Sequence, residues 1–447
     1  MKFNIPRARR VPFTTSGATS LGPNDYGWQW TECFARQRVL MMNQNLENFQ
    51  IDLPYSGEGV DLVVLDNNVV ADHPDFTNRL QQIDWFQAAG GEWLQYQGTQ
   101  NWATYYQRAD GGHGTPTASV AAGALYGFAK SANIFTITHN FAAWDSWRAR
   151  EKRAAVIRLI TDWHKNKPSR NPTVLVFGSI IGSNLFLSSV RSVHTSKGTY
   201  TRDELLALPL SERINITLEH RIDGMTSNRV GLQYEADIKA AMDYATSNGV
   251  HLVYPGDNKI SVLQNAQDDD FSAYWFREWS TGFFLNITCG SVPVSNDTIV
   301  VGAVGGETDV SVPTNSKSTV REFIATWGTN DGSPRGARVD IFAPGTYCPA
   351  ARDVVSVTTP SGTGMFRYPG SSNRWASGFS GTSCATPITA GALCCLLSKY
   401  PAMSPASAKS ALLGAASVGR IYEYDEPEAA KRLSLMGAPN RYLYYPV

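Results

Sequence analysis

Hydrophobic positions along the chain follow two alternating periods. Residues 60–65, 133–138, 173–177, 250–254, 298–304 and 339–345 are short runs rich in Val, Ile and Leu, with apolar residues on consecutive positions. Such runs mark strands buried on both faces of a parallel sheet. Between them the period lengthens to that of a helix. Residues 147–165 carry Ala154, Ile157, Leu159, Ile160 and Trp163 among basic residues, an amphipathic pattern. Residues 234–247 carry Ala236, Ile238, Ala240, Ala241, Met242 and Ala245, and Gly249 closes the helix. The apolar run 392–397 predicts a further helix, and Ser404-Pro405 starts a last one with proline at its first position. Strands alternating with helices predict an α/β fold, a doubly wound and mostly parallel central sheet with helices on both faces.

The polar stretches set the expected boundaries. Residues 1–56 read as an irregular N-terminal arm, 57–420 as one large domain, and 421–447 as a polar and aromatic C-terminal tail. Three segments near 77–110, 184–230 and 259–295 interrupt the alternation and read as insertions. The first, rich in tryptophan and tyrosine, has the look of a surface excursion.

Composition narrows the function. Lys+Arg and Asp+Glu both number 39, so the formal net charge is zero, which argues against a general nucleic-acid binder. No apolar stretch approaches the ~18 residues of a membrane span, and the first thirty residues lack the apolar core of a secretory signal. Localisation is otherwise open. Six cysteines in 447 residues are no disulfide framework; Cys394 and Cys395 fall in an apolar helix and read as core.

Candidate chemistry centres on Gly381-Thr382-Ser383-Cys384-Ala385-Thr386-Pro387. A serine at the mouth of a helix sits beside unpaired N–H groups and a partial positive charge, which can stabilise negative charge near its oxygen. A helix cap would look the same. A serine nucleophile also needs a base and a group to orient that base. His113 is set between Gly112 and Gly114 at the start of a small-residue helix. Asp66 ends the 60–65 run, at the carboxyl end of a strand, where open α/β sheets place their chemistry; a turn aspartate is the alternative.

Asp66, His113 and Ser383 stand in the order Asp…His…Ser, one of the chain orders known for this triad. Residues 63–66 with His73-Pro74-Asp75, His113-Gly114-Thr115 with Ala121 and Gly123, and Gly381-Thr382-Ser383 with Ala385-Thr386-Pro387 resemble the three sequence blocks of the subtilases, the subtilisin-like serine proteases. The resemblance implies a subtilisin-like fold and a serine endopeptidase that hydrolyses peptide bonds through an acyl-enzyme, with protein or peptide substrates and neither nucleic acid nor membrane as partner. It implies that Gly178, Ser179, Ile180, Ile181 and Gly182 line the substrate. It implies no cofactor. Calcium is common in the family, but no D-x-[DN]-x-[DN]-G loop is present, and Asp268-Asp269-Asp270 reads as an acidic turn.

Three departures stand out. Asn68 replaces the usual glycine two residues after Asp66. The oxyanion position, usually Asn after Gly, reads Gly256-Asp257-Asn258. Asp257 is the positional equivalent, protonated if it is to donate, and Asn258 is the alternative. The segment before the domain is short and has no signal. These departures admit a second expectation, a structural or binding protein on a subtilase scaffold with weak or no activity. Tyr126-Gly127-Phe128-Ala129-Lys130 resembles subtilase-type proteins of tailed bacteriophages, which would make it a virion or tail component with virion structural proteins as partners. A lipase-type esterase is disfavoured, since no G-x-S-x-G surrounds Ser383.

Overall fold

The computed structural model describes residues 2–8, 46–52, 54–96, 112–138, 147–178, 190–195, 198–209, 222–227, 232–256, 258, 263, 274–278, 284–288, 294–305, 323–324, 332–346, 348–356, 358, 365–421, 435 and 437–444. Six apolar runs become the core strands β1 (Asp61–Asp66), β2 (Asn133–Thr138), β3 (Thr173–Phe177), β4 (Val250–Pro255), β5 (Ile299–Gly305) and β6 (Ile341–Pro344). Every residue of β1, β3, β4, β5 and β6 is buried, as their unbroken apolar pattern requires. Each buried Val, Leu or Ile contributes about 1.5–3 kcal/mol relative to an exposed one.

The six lie side by side as β2-β1-β3-β4-β5-β6, and all five pairings are parallel. The chain steps from β1 to β2 in one direction, then returns to place β3 on the other flank of β1. The order therefore reverses between β1 and β3, and the crevice at their carboxyl ends is where such sheets hold ligands.

Helices cover the sheet in two groups. Helix α1 (Gly114–Ala122) packs on α4 (Thr382–Lys399), while α2 (Trp147–Asn166) packs on α3 (Leu232–Ser247). In α4 every residue from Thr382 to Leu397 is buried; a helix apolar all round runs through a core. Helix α5 (Pro405–Ala415) follows, capped by Ser404, whose side chain accepts from Ser407 N.

Several boundary expectations change. The N-terminal arm is not wholly irregular, because Lys2–Ala8 and Leu46–Asp52 form an antiparallel ladder. In the first insertion Leu80–Gln81 extends the central sheet beside β2. There Trp85 is fully buried, donates Nε1 to the Thr136 carbonyl at 3.0 Å and meets Trp163 edge-on at 5.1 Å. An aromatic count cannot tell such a wedge from a surface residue. The second and third insertions contribute to one five-stranded antiparallel sheet, which joins Val190–Thr195, Gly198–Thr201 and Ile222–Ser227 to Tyr274–Glu278 and Phe284–Thr288. Beyond residue 420, Arg441–Tyr442 pairs with β6 and with Ser417–Val418, and Tyr442 is fully buried. The expected tail therefore completes an edge of the central sheet. A three-stranded antiparallel sheet of Cys348–Val355, Arg374–Phe379 and Phe366–Arg367 lies against α1; its polar, interrupted pattern gave no strand signal.

Candidate active site

Asp66 ends β1 at the switch point and is fully buried. Its carboxylate oxygens lie 3.0 and 2.9 Å from His113 Nδ1. It also accepts from Asn67 N at 2.7 Å and from Thr117 Oγ1 at 2.7 Å. Thr117 stands one turn into α1, so a single helix carries both the imidazole and a hydroxyl that fixes the carboxylate facing it. The same helix is docked by Asn67, whose side-chain oxygen accepts from Gly114 N at 2.7 Å. Thr117 and Asn67 were not foreseen. Asn67 follows Asp66 directly and has the side chain of a cap residue, which is the only signal it offered. Asn68 needs no left-handed backbone, because it is not among the positive-φ residues, so the loss of glycine there is without strain.

The His113 side chain is about one-third exposed (32%), while Asp66 has no exposure. Burial works against the imidazolium and the Arg352 guanidinium adds to that. The charge and hydrogen bond of Asp66 outweigh both, and the His113 pKa is raised above its ordinary value. Phe379 meets the imidazole edge-on at 5.3 Å.

Ser383 is the second residue of α4, buried at 7% exposure, with Oγ 3.4 Å from the Gly178 carbonyl. Gly381 before it has φ +105°, a conformation that favours glycine. Pro387 has no N–H to give to the Ser383 carbonyl, four residues back. Gly178, at the exit of β3, touches both sides of the site. It donates to the Leu65 carbonyl at 2.9 Å, and a methyl group added to it would fall 1.8 Å from Asp66 Oδ2. Gly178→Ala is therefore expected to displace the buried carboxylate or the strand. We expect a cost of about 1–3 kcal/mol, read as a lowered Tm, together with loss of any triad-dependent activity.

Asn258 reaches the entrance of α4. Its side-chain oxygen accepts from Thr382 N at 2.8 Å and from Thr382 Oγ1 at 2.9 Å. Because a backbone N–H can only donate, this contact fixes the amide orientation, and the amide lies beside Gly381, with Oδ1 3.2 Å and Nδ2 3.4 Å from the point a methyl there would occupy. The sequence preference for Asp257 gains nothing here: that residue, like Ser179, Ile180, Ile181 and Gly182, lies outside the described residues. Asp268-Asp269-Asp270 lies outside them too. Among the described residues no group of three His, Cys, Asp or Glu side chains could hold a metal ion, and no helix is long and apolar enough to cross a membrane.

The segment 126–130 is internal. Tyr126 and Phe128 are buried, and Lys130 donates to the Ala124 and Leu125 carbonyls at 2.9 Å each. Burial pushes the Lys130 pKa down to about 7. It packs the loop after α1, and that contact gives no support to a virion role.

Several known proteins are similar to this chain. Over 172 residues the chain is 28% identical to the alkaline extracellular protease of Yarrowia lipolytica, a match covering 38% of this chain and only about a third (32%) of that relative. A crystal structure of a cold-adapted subtilisin-like serine proteinase aligns at TM-score 0.48 and 17% identity, covering 92% of this chain and 97% of the other. Sphericase aligns at 0.46 and 16%, covering 87% and 89%. The model of the subtilase family matches residues 57–438. That match takes in Asp66, His113, Ser383 and every core strand, and the chain belongs to the subtilase family.

Proposed function

We propose that the protein is a serine endopeptidase in which Asp66, His113 and Ser383 act as a catalytic triad. The observation that carries this reading is the bifurcated contact of the buried Asp66 carboxylate with His113 Nδ1, at 2.9 and 3.0 Å, one glycine away from the Ser383 hydroxyl. With Nδ1 so engaged, the other imidazole nitrogen, Nε2, is left as the base.

Ser383 Oγ attacks the carbonyl carbon of the scissile bond and its proton passes to His113 Nε2. The tetrahedral intermediate collapses, the C–N bond breaks, and the same proton goes to the departing amine. Water then repeats the sequence against the acyl-Ser383 ester and releases the acid. Asp66 keeps its charge throughout, holding the imidazole tautomer and stabilising the imidazolium.

The oxyanion donor in this reading is Asn258 rather than Asp257. A neutral amide anchored on Thr382, beside the turn that carries the nucleophile, has N–H groups to donate with no need to keep a carboxyl protonated. Asn258→Ala should lower kcat by about 10²–10³-fold with little change in KM, whereas Asp257→Asn should change kcat by less than threefold. The reverse ranking would return the role to Asp257. The reading as a whole is tested by a fluorophosphonate probe together with hydrolysis of a denatured protein. Labelling and cleavage are both expected, and a folded protein that does neither would sink it.

A further inference from the structure

One cation beside the imidazole has no assigned task. Strand Cys348–Val355 pairs with Arg374–Phe379 in regular register from Cys348↔Phe379 to Ala351↔Ala376, and resumes only at Val355↔Arg374. Three residues, Arg352 to Val354, therefore stand opposite the single residue Trp375. A bulge of this kind re-aims side chains and recurs next to active sites.

Its position is fixed from both sides. Just before it, Ala351 N donates to Ser119 Oγ at 2.9 Å, and Ser119 in turn donates to buried Asp75 at 2.6 Å. Ser119 lies six residues along α1 from His113, about 9 Å. Just after it, Asp353 rests on the backbone beside the imidazole: a methyl at Gly112 would fall 1.9 Å from Asp353 Cγ. Arg352 is thus carried across the mouth of α1. It is half-buried, its Nε is fully shielded, and it makes no hydrogen bond or ion pair with any described residue. Asp353 acts on it through space only, and burial disfavours its charge. With Nε shielded, it is the outer edge of this half-buried guanidinium, its two Nη groups, that can receive a carboxylate end-on.

The chemistry gives the side of the cleft. His113 hands its proton to the departing amine, so the walls around the imidazole border the leaving half of the substrate. We propose that Arg352 is a specificity residue that receives a carboxylate carried by that leaving half, a proposal that rests on the peptidase reading above. The carboxylate is either an Asp or Glu side chain within the first few positions after the cut, or the free C-terminus of a short leaving fragment.

The test is digestion of a proteome-derived peptide mixture by the whole 447-residue chain, with every cut mapped by mass spectrometry. Wild type should favour Asp and Glu at one position after the cut by about tenfold over Asn and Gln; if the C-terminus is the ligand, cuts should instead cluster at a fixed distance from peptide ends. Arg352→Gln should bring the ratio to about one, and Arg352→Glu should turn it toward Lys and Arg. Should those variants not fold, the wild-type preference and its loss on the same peptides after methyl esterification, which removes every carboxylate charge, stand in for them. Abundant cleavage with no acidic or end preference overturns the proposal and leaves the peptidase reading intact. No cleavage and no fluorophosphonate labelling of the folded protein overturns both.

Discussion

Ser383→Ala is expected to remove about 10⁶-fold of kcat while leaving the fold intact. The size follows from how a triad works. Serine and histidine act as one unit, so deleting either costs nearly as much as deleting all, and the residual rate over water, about 10³–10⁴-fold, comes from the oxyanion site and substrate binding. Here the change is confined to one hydroxyl. Ser383 is already buried at 7% exposure, and among the described residues its hydroxyl makes only the long 3.4 Å contact to the Gly178 carbonyl, so an alanine leaves no strongly bonded partner behind. Stability should move by less than about 1 kcal/mol. His113→Ala should cost a similar factor in kcat, and the double variant little more than either single one. Burst-phase and steady-state kinetics on one peptide, with Tm as a folding control, measure this. Losses that multiply, or a Ser383→Ala variant keeping more than a hundredth of wild-type kcat, would show that the serine is not the nucleophile.

A large part of this candidate site was legible in the sequence because its three residues stand where local pattern is strongest. Asp66 closes an unbroken apolar run, His113 opens a helix of small residues, and Ser383 opens a helix apolar on every side. Each could be located from its own neighbours, and chain order linked them. The support between them was not legible. Thr117 and Asn67 matter only because β1, β3 and α1 converge at the switch point, and Gly178, expected to line the substrate, has a second place there, in the 1.8 Å a methyl would leave to Asp66, which no spacing encodes. Position directly after Gly256 favours Asp257 over Asn258 in the sequence. The contact of Asn258 with the start of α4, Thr382 N to Oδ1, joins residues far apart in the chain. The same limit explains the boundaries. Trp85 and Tyr442 read as peripheral because their partners, Trp163 and Phe342, are distant in sequence. The five-stranded sheet was split into two insertions because its strands pair across the intervening α3 and β4.

Asp66→Asn is the variant in which charge and geometry separate most clearly, and its expected effect is a fall in kcat of about 10⁴-fold with a displaced pH profile. In the wild type the His113 pKa is raised: burial and Arg352 push it down, and the Asp66 charge and hydrogen bond push it up further. The base must be neutral to act, so the acid limb of kcat/KM should lie above pH 6.5. With asparagine at 66 the negative charge is gone and both remaining influences lower the pKa, so the limb should move below pH 6.5. The amide also has an NH₂ group to offer to Nδ1, which favours the tautomer with its proton on Nε2, where the base is needed. Stability follows the same sign. A raised folded pKa contributes stability that is fully present below the unfolded value near 6.5 and is lost as pH rises through the folded pKa. Between pH 5 and pH 8 the Tm advantage of wild type over Asp66→Asn should therefore be largest at the acid end and shrink toward the alkaline end. A low-activity variant whose acid limb stays in place would mean that Asp66 orients the ring without setting its charge. An advantage that grows with pH would mean that the carboxylate destabilises the imidazolium, which the 2.9 Å contact argues against.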